Sequence, residues 1–210
     1  MTDRRSILKR SFMAQIVDKV QKRKDIALSC KKLFLKHHLA DVTVSQIALE
    51  AGVGKGTIYE YFTNKEDIVF EIITILMEEG NTQKHEKLSK IDSTKEKIKV
   101  FFEFFYADEH IELRTIYKEF ISISLIQPCQ KVIDFQTNCH QTYHEWITQI
   151  MQEGVDKGEI IPVSMHLING IFEFGTGMFI THSITHTIEN LEQEVNDFID
   201  ALFTLITKHD

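Results

Sequence analysis

Thr43-Val44-Ser45-Gln46 is a capping-box sequence, in which the threonine hydroxyl takes an orphan amide of the first turn and Gln46 reaches back. The helix it opens passes through Ile47 and Ala48 to Ala51 and stops at Gly52, whose freedom at positive φ suits a helix C-terminus. Val53 and Gly54 make the turn, and Lys55 to Phe62 form a second short helix. Short helix, glycine-containing turn, short helix is the helix-turn-helix pattern, and it constrains the fold more than any other part of the chain.

The small and apolar residues of 43–62 have physical reasons. Ala48 and Ala51 permit close helix packing, and Ile47, Val53, Ile58 and Phe62 are spaced to form a small core. Their third partner is the basic amphipathic helix predicted at about 18–37. There Val20, Ile26, Ala27, Cys30, Leu33 and Phe34 recur at helical spacing among Lys22, Arg23, Lys24, Lys31 and Lys32. Lys55, Thr57, Tyr59 and Tyr61 are left to point outward: a cation, a hydroxyl and two phenols, groups suited to phosphate oxygens and base edges in a major groove.

The remainder also reads as helical. Asn64 caps a third helix, running from Lys65 through Ile68, Ile72, Ile75 and Leu76 to about Leu88. Ser93-Thr94-Lys95-Glu96 is another capping box, opening a helix with Ile98, Phe101, Phe102 and Phe105 on one face and Glu103 on the opposite, wet face. Helical patterns continue at about 109–126, 128–157, 163–186 and 190–208, with Pro128 suited to a helix start and Gly158 to a helix stop. Only 2 Pro and 9 Gly interrupt 210 residues, so the expected class is all-α with about nine helices. No run of about 18 apolar residues and no signal-peptide apolar region occurs, and the three cysteines are an odd number without a C-x-x-C pair. These features predict an unexported, cytoplasmic protein with no membrane span.

Charge is unevenly placed. Residues 1–65 hold 13 Lys+Arg against 6 Asp+Glu, whereas residues 66–210 hold 11 against 25. A basic head before an acidic body points to a polyanion-binding segment on a soluble carrier.

The stretch from Thr43 to Asp67, TVSQIALEAGVGKGTIYEYFTNKED, resembles the helix-turn-helix signature of TetR-type transcriptional regulators, and Ala27 and Phe34 match first-helix positions of that family. The signature covers roughly residues 20–80. The resemblance implies a DNA-binding domain at 1–65, with its helix-turn-helix at 43–62, and a helical ligand-binding and dimerisation domain at 66–210. It further implies a repressor released from a palindromic operator by a small amphipathic molecule. Duplex DNA is then expected to meet Thr43, Ser45, Lys55, Gly56, Thr57, Tyr59, Tyr61 and Lys65. Where the family usually has Gly and then an aromatic after the first helix, this chain has His38 and Leu39. A left-handed His38 would cost on the order of 1–2 kcal/mol unless its ring found a compensating bond.

In the body, the resemblance implies a small-molecule pocket. Phe105, Tyr117, Phe120, Trp146 and Phe174 are its candidate walls and Glu173 its polar residue, which would favour a ligand with a cation or donor. A homodimer is expected through helices 163–186 and 190–208, using Gly170, Gly175 and Gly177 for close approach and a stripe of Leu191, Val195, Phe198, Leu202 and Leu205. No cofactor, metal or catalytic group is expected. The glycines of 52–57 lack the Gly at 49 and the Ser or Thr after Lys55 of a phosphate-binding loop. The pairs His140/His144 and His182/His186 have ligand spacing but no convincing third ligand. The competing class is a helical small-molecule enzyme or metal-binding protein with a basic helical appendage.

Overall fold

A computed structural model describes residues 18–126, 128–185 and 187–208. Within them, α1 covers 18–29, and α2 to α10 are Lys31–Lys36, Val44–Glu50, Lys55–Tyr61, Lys65–Leu88, Thr94–Phe102, Ile111–Ile126, Gln130–Asp156, Met165–Ile184 and Leu191–Ile206. Single 3-10 turns stand at Leu39–Asp41, Glu103–Phe105 and Asp108–His110. Among the described residues the one β feature is an isolated bridge, Ile160 to Thr207. The chain is therefore all-α, as its spacing predicts.

The residues divide into two compact units. One comprises the described residues up to Glu78 together with Thr115–Ile126, and the other Glu79–Arg114 with the described residues after 127. The division by contact falls inside α5, and Ile68, Val69, Ile72, Ile73 and Ile75 ahead of it are all buried core residues.

In the first unit, Ala27, Cys30, Phe34, Ile47, Ile58 and Phe62 are buried, and Val53 is half-buried. The basic helix predicted at 18–37 is interrupted: at Cys30 the chain makes a turn, with Leu33 N–H donating to Cys30 O at 3.0 Å. His38 is extended, with φ −62° and ψ 144°, and no non-glycine residue among those described has positive φ. The left-handed cost therefore does not arise. Gly52 does carry φ 64°, ending α3 as its sequence position requires.

The second unit is built on α6, α8, α9 and α10, with α10 packed on α6 and α9. Ile98, Phe101, Phe102 and Phe105 are buried as a set. Glu103 is not on a wet face: α6 has ended at Phe102, and Glu103 is largely covered and ion-paired with Lys87. Pro128 lies ahead of α8 rather than in its first turn, because Cys129 is the N-cap. The stripe predicted for a partner is mostly used at home. Leu191, Val195 and Leu202 are buried and Phe198 stacks on Phe174 at 3.6 Å, so only Leu205 of the five stays exposed.

Candidate nucleic-acid interface and ligand site

The head presents α4 through two local devices. At the start of α3, the Thr43 hydroxyl accepts from Gln46 N–H at 3.3 Å and the Gln46 side chain accepts from Thr43 N–H at 2.9 Å, closing the capping box. After the Gly52 turn, Gly54 is the extended N-cap of α4. Burial of Ile58 and Phe62 fixes the inner side of α4 and leaves Lys55, Gly56 and Tyr59 exposed, with Thr57 and Tyr61 half-buried. Nothing lies within 4 Å of where a Gly56 Cβ would stand, so the backbone there is open. Thr43 and Ser45 are exposed beside it in sequence, at the start of α3.

Lys65 is placed differently from the other expected DNA residues. Its Nζ donates to the carbonyls of Leu39 at 2.6 Å, Ala40 at 3.0 Å and Val42 at 3.1 Å, so all three ammonium protons are directed into the loop before α3. Arg23 is a structural cross-link that the sequence pattern missed. It bonds Glu71 at 2.7 Å, pairs with Asp67 at 3.3 Å, donates to the Tyr61 carbonyl and lies 4.2 Å over the Phe62 ring. Asp67 and Glu71, four apart on α5, were the available signal, since two carboxylates facing the core of a small helical head need a cation.

The six expected ligand residues are dispersed. Tyr117 and Phe120 belong to the first unit, where Phe120 meets Phe70 at 5.9 Å. In the second unit, Phe105 is buried against Phe102 and Phe179, Phe174 stacks on Phe198, and Glu173 is exposed and bonded to His140 Nε2 at 2.9 Å. Trp146 alone of the six lines a described cavity, of roughly 180 Å³, with His85, Leu88, Lys97, Ile150 and Glu153. Lys97 and Glu153 pair there at 2.7 Å, which holds the Glu153 carboxyl below its usual range.

The charged group set among aromatic faces is Lys84, not Glu173. Its Nζ lies 4.7 Å from the Phe101 ring centroid, 5.2 Å from that of Tyr143 and 6.0 Å from that of Phe104, and it donates to Phe101 O at 3.2 Å. Burial pulls its pKa down to about 8, and the Glu103 charge opposes that only in part. Phe101 and Tyr143 also meet Trp146, at 6.4 and 6.1 Å, so one aromatic wall runs from Lys84 to the cavity. Among the described residues no cluster of three or more His, Cys, Asp or Glu is arranged to hold a metal. His140 and His144 bond Glu173 and Asn169 instead, while His186 lies outside the described residues.

Residues 30–72 match the family of bacterial regulatory proteins, tetR family. A fatty acid metabolism regulator protein of Bacillus subtilis is 28% identical over 120 residues, which cover 56% of this chain and 59% of that relative. The fold is shared with a transcriptional regulator of Saccharomonospora viridis in complex with choline, at TM-score 0.75 and 18% identity over 90% of this chain and 100% of that one. It is shared too with the regulator FadR of Bacillus subtilis in complex with stearoyl-CoA, at TM-score 0.63 and 23% identity over 86% and 97%.

Proposed function

We propose that this chain, whose residues 30–72 match the tetR family of bacterial regulatory proteins, is a ligand-responsive, DNA-binding transcriptional regulator of that family, acting as a cytoplasmic homodimer and as a repressor. The observation that carries the reading is the exposed surface of α4, where Lys55, Gly56 and Tyr59 stand outward from a helix whose other side is locked by Ile58 and Phe62. A short helix so held offers cation, open backbone and phenol to phosphates and base edges. Thr43, Ser45, Thr57 and Tyr61 complete the proposed surface, and Lys65 acts from behind it through the loop.

For the dimer, α9 supplies the better surface. His166, Gly170, Glu173, Gly177, Ile180 and Ile184 recur at helical spacing and are all exposed, and no neighbour stands where a Cβ on Gly170 or Gly177 would lie. A second copy of α9 can approach such a stripe closely. Selecting duplexes from a random-sequence library tests both claims: the enriched site is expected to be palindromic. Its log affinity should fall linearly with log salt, and Lys55→Ala should flatten the slope by about 0.9. An unselective protein, or a slope unchanged by that variant, sinks the assignment.

The ligand is proposed to be a small amphiphile with an anionic head. Glu173, the group that would have favoured a cation, is outside and paired, whereas Lys84 faces the aromatic wall and donates to the Phe101 carbonyl. The similarity to a fatty acid metabolism regulator supports the same sign of charge. In mechanism, the ligand must prefer the conformation that binds DNA poorly, since equal affinity for both would shift nothing. Anionic acyl amphiphiles are expected to release the selected duplex and cationic ones not to. Lys84→Met should raise the concentration needed roughly tenfold, the size of a charge-assisted hydrogen bond. Release by cations only, unaffected by Lys84→Met, would reverse the ligand assignment and leave DNA binding standing.

A further inference from the structure

The seven residues between α2 and α3 decide how the helix-turn-helix is entered, and two side chains from distant helices hold them. Lys65 on α5 ties down the carbonyls of Leu39, Ala40 and Val42. From α7, Glu119 takes the other side of the same turn: one carboxylate oxygen lies 2.8 Å from His38 Nδ1, and the other accepts the Leu39 N–H at 3.3 Å. Leu39 and Val42 are buried, so the turn is anchored by apolar contacts as well as by these bonds. Thr43, the capping residue of α3, follows Val42 directly, and a displacement of the turn is therefore a displacement of the cap.

We propose that Glu119 is a positioning residue for DNA recognition, through which α7 sets the register of the helix-turn-helix by gripping His38 and the Leu39 amide. The proposal rests on the DNA-binding reading above. Its basis is geometric: a bidentate carboxylate from a helix 81 positions along the chain grips two consecutive residues of the loop. The grip belongs to this chain in particular, because it uses the His38 that stands where the resemblance leads one to expect glycine. Rotating or sliding α7 withdraws both acceptors together, which makes this helix a means of transmitting a change in α7 to the DNA-reading surface.

The His38–Glu119 pair also makes the grip depend on pH. The hydrogen bond to Glu119 and then the Glu119 charge raise the imidazole pKa above its usual value; desolvation opposes them, and the Asp41 charge adds the smallest upward contribution. The charged groups around the ring are Glu119 on α7 and Asp41 in the turn itself, with His37 adjacent in sequence and the Lys65 ammonium spent on the carbonyls behind. A raised histidine pKa means that the charged pair is present below the unperturbed value and is lost as pH rises through the raised one. DNA affinity is thus expected to decline across that window.

The test compares wild type, Glu119→Gln and His38→Gln, using a duplex selected by the wild-type protein, between pH 5.5 and 8.5. At the low end Glu119→Gln should bind roughly fivefold more weakly than wild type, within the range of a partly exposed ion pair and its hydrogen bonds. NMR titration should show His38 with a lower pKa in Glu119→Gln, and His38→Gln should abolish that part of the pH dependence. The sign is decisive. Removing a negative charge near the DNA surface strengthens binding by simple electrostatics, whereas loss of positioning weakens it. Stronger or unchanged binding by Glu119→Gln, or equal His38 pKa values in both proteins, overturns the proposal. His38→Gln replaces an exposed ring, so it remains informative even if Glu119→Gln folds poorly. Failure of the wild type to enrich any duplex is a separate result that removes the DNA-binding reading, and this role with it.

Discussion

Gly175→Ala should lower the melting temperature of the second unit by roughly 6–12 °C, corresponding to about 3 kcal/mol. The reason is steric and local. A Cβ on residue 175 would lie 2.5 Å from Cδ1 of Phe102 and 3.2 Å from Cε2 of Phe105. Phe102 is 1% exposed and packed in edge contact with Phe101 and in a stack with Phe105, so its ring has nowhere to retreat. The glycine is what lets α9 approach the end of α6, and α9 carries the surface proposed for the second protomer. Phe102→Leu alone costs about 1–2 kcal/mol as a lost ring, but combined with Gly175→Ala it should cost less than the two single changes together. Melting of Gly175→Ala within 1 °C of wild type, or strict additivity in the pair, would contradict this account of the contact.

What was legible in the sequence was what local chemistry determines. The Thr43/Gln46 box, the Gly52 stop and the span of α5 all follow from residues within a turn or two of each other, and the structure has them where spacing puts them. The outward placement of Lys55 and Tyr59 was legible for the same reason, since burial of Ile58 and Phe62 leaves little choice for their neighbours. Lys65 shows the limit. At the start of α5 a lysine reads as a phosphate contact, yet the carbonyls it meets lie 23 to 26 residues earlier, in a loop whose path no periodicity describes.

The body was legible as helices and much less so as a site. Helical spacing put Phe105 on one face with Ile98, Phe101 and Phe102, and all four are buried, but periodicity says only that a face is covered, not what covers it. Phe174, read as a pocket wall, forms a stack with Phe198, and the α10 stripe, read as a seam between protomers, packs within the chain on α6 and α9. Glu173 drew attention because apolar residues flank it on both sides. On a helix, however, residues adjacent in sequence do not share a face, so those flanking aromatics are compatible with an exposed carboxylate. The informative oddity was instead Lys84, whose aromatic neighbours come from α6, from the 3-10 turn after it and from α8. No sequence window contains them all.

Arg23→Ala should destabilise the first unit by about 3 kcal/mol and abolish measurable binding of the selected duplex. The guanidinium, with its side chain 23% exposed, serves Asp67 and Glu71, which are 16% and 17% exposed, and it also supplies a donor to the carbonyl of Tyr61 at the end of α4. Removing it withdraws the shared cation from two largely covered carboxylates, frees the end of α4 and uncovers the Phe62 ring it lies across. Lys24→Ala provides the contrast: its pair with Glu78 spans 3.6 Å between side chains 36% and 64% exposed, where solvent screening leaves at most about 0.5 kcal/mol. Both variants remove one positive charge from α1, so general electrostatic attraction to DNA falls equally in the two. Only Arg23→Ala should lose the protein's melting transition at its normal temperature. Arg23→Lys should not restore it, because a single ammonium cannot reach two carboxylates and a carbonyl while lying flat on an aromatic face. Equal melting curves for the alanine variants at positions 23 and 24, or full rescue by lysine, would show that charge alone holds α4 in place, and the geometric role of the guanidinium would have to be given up.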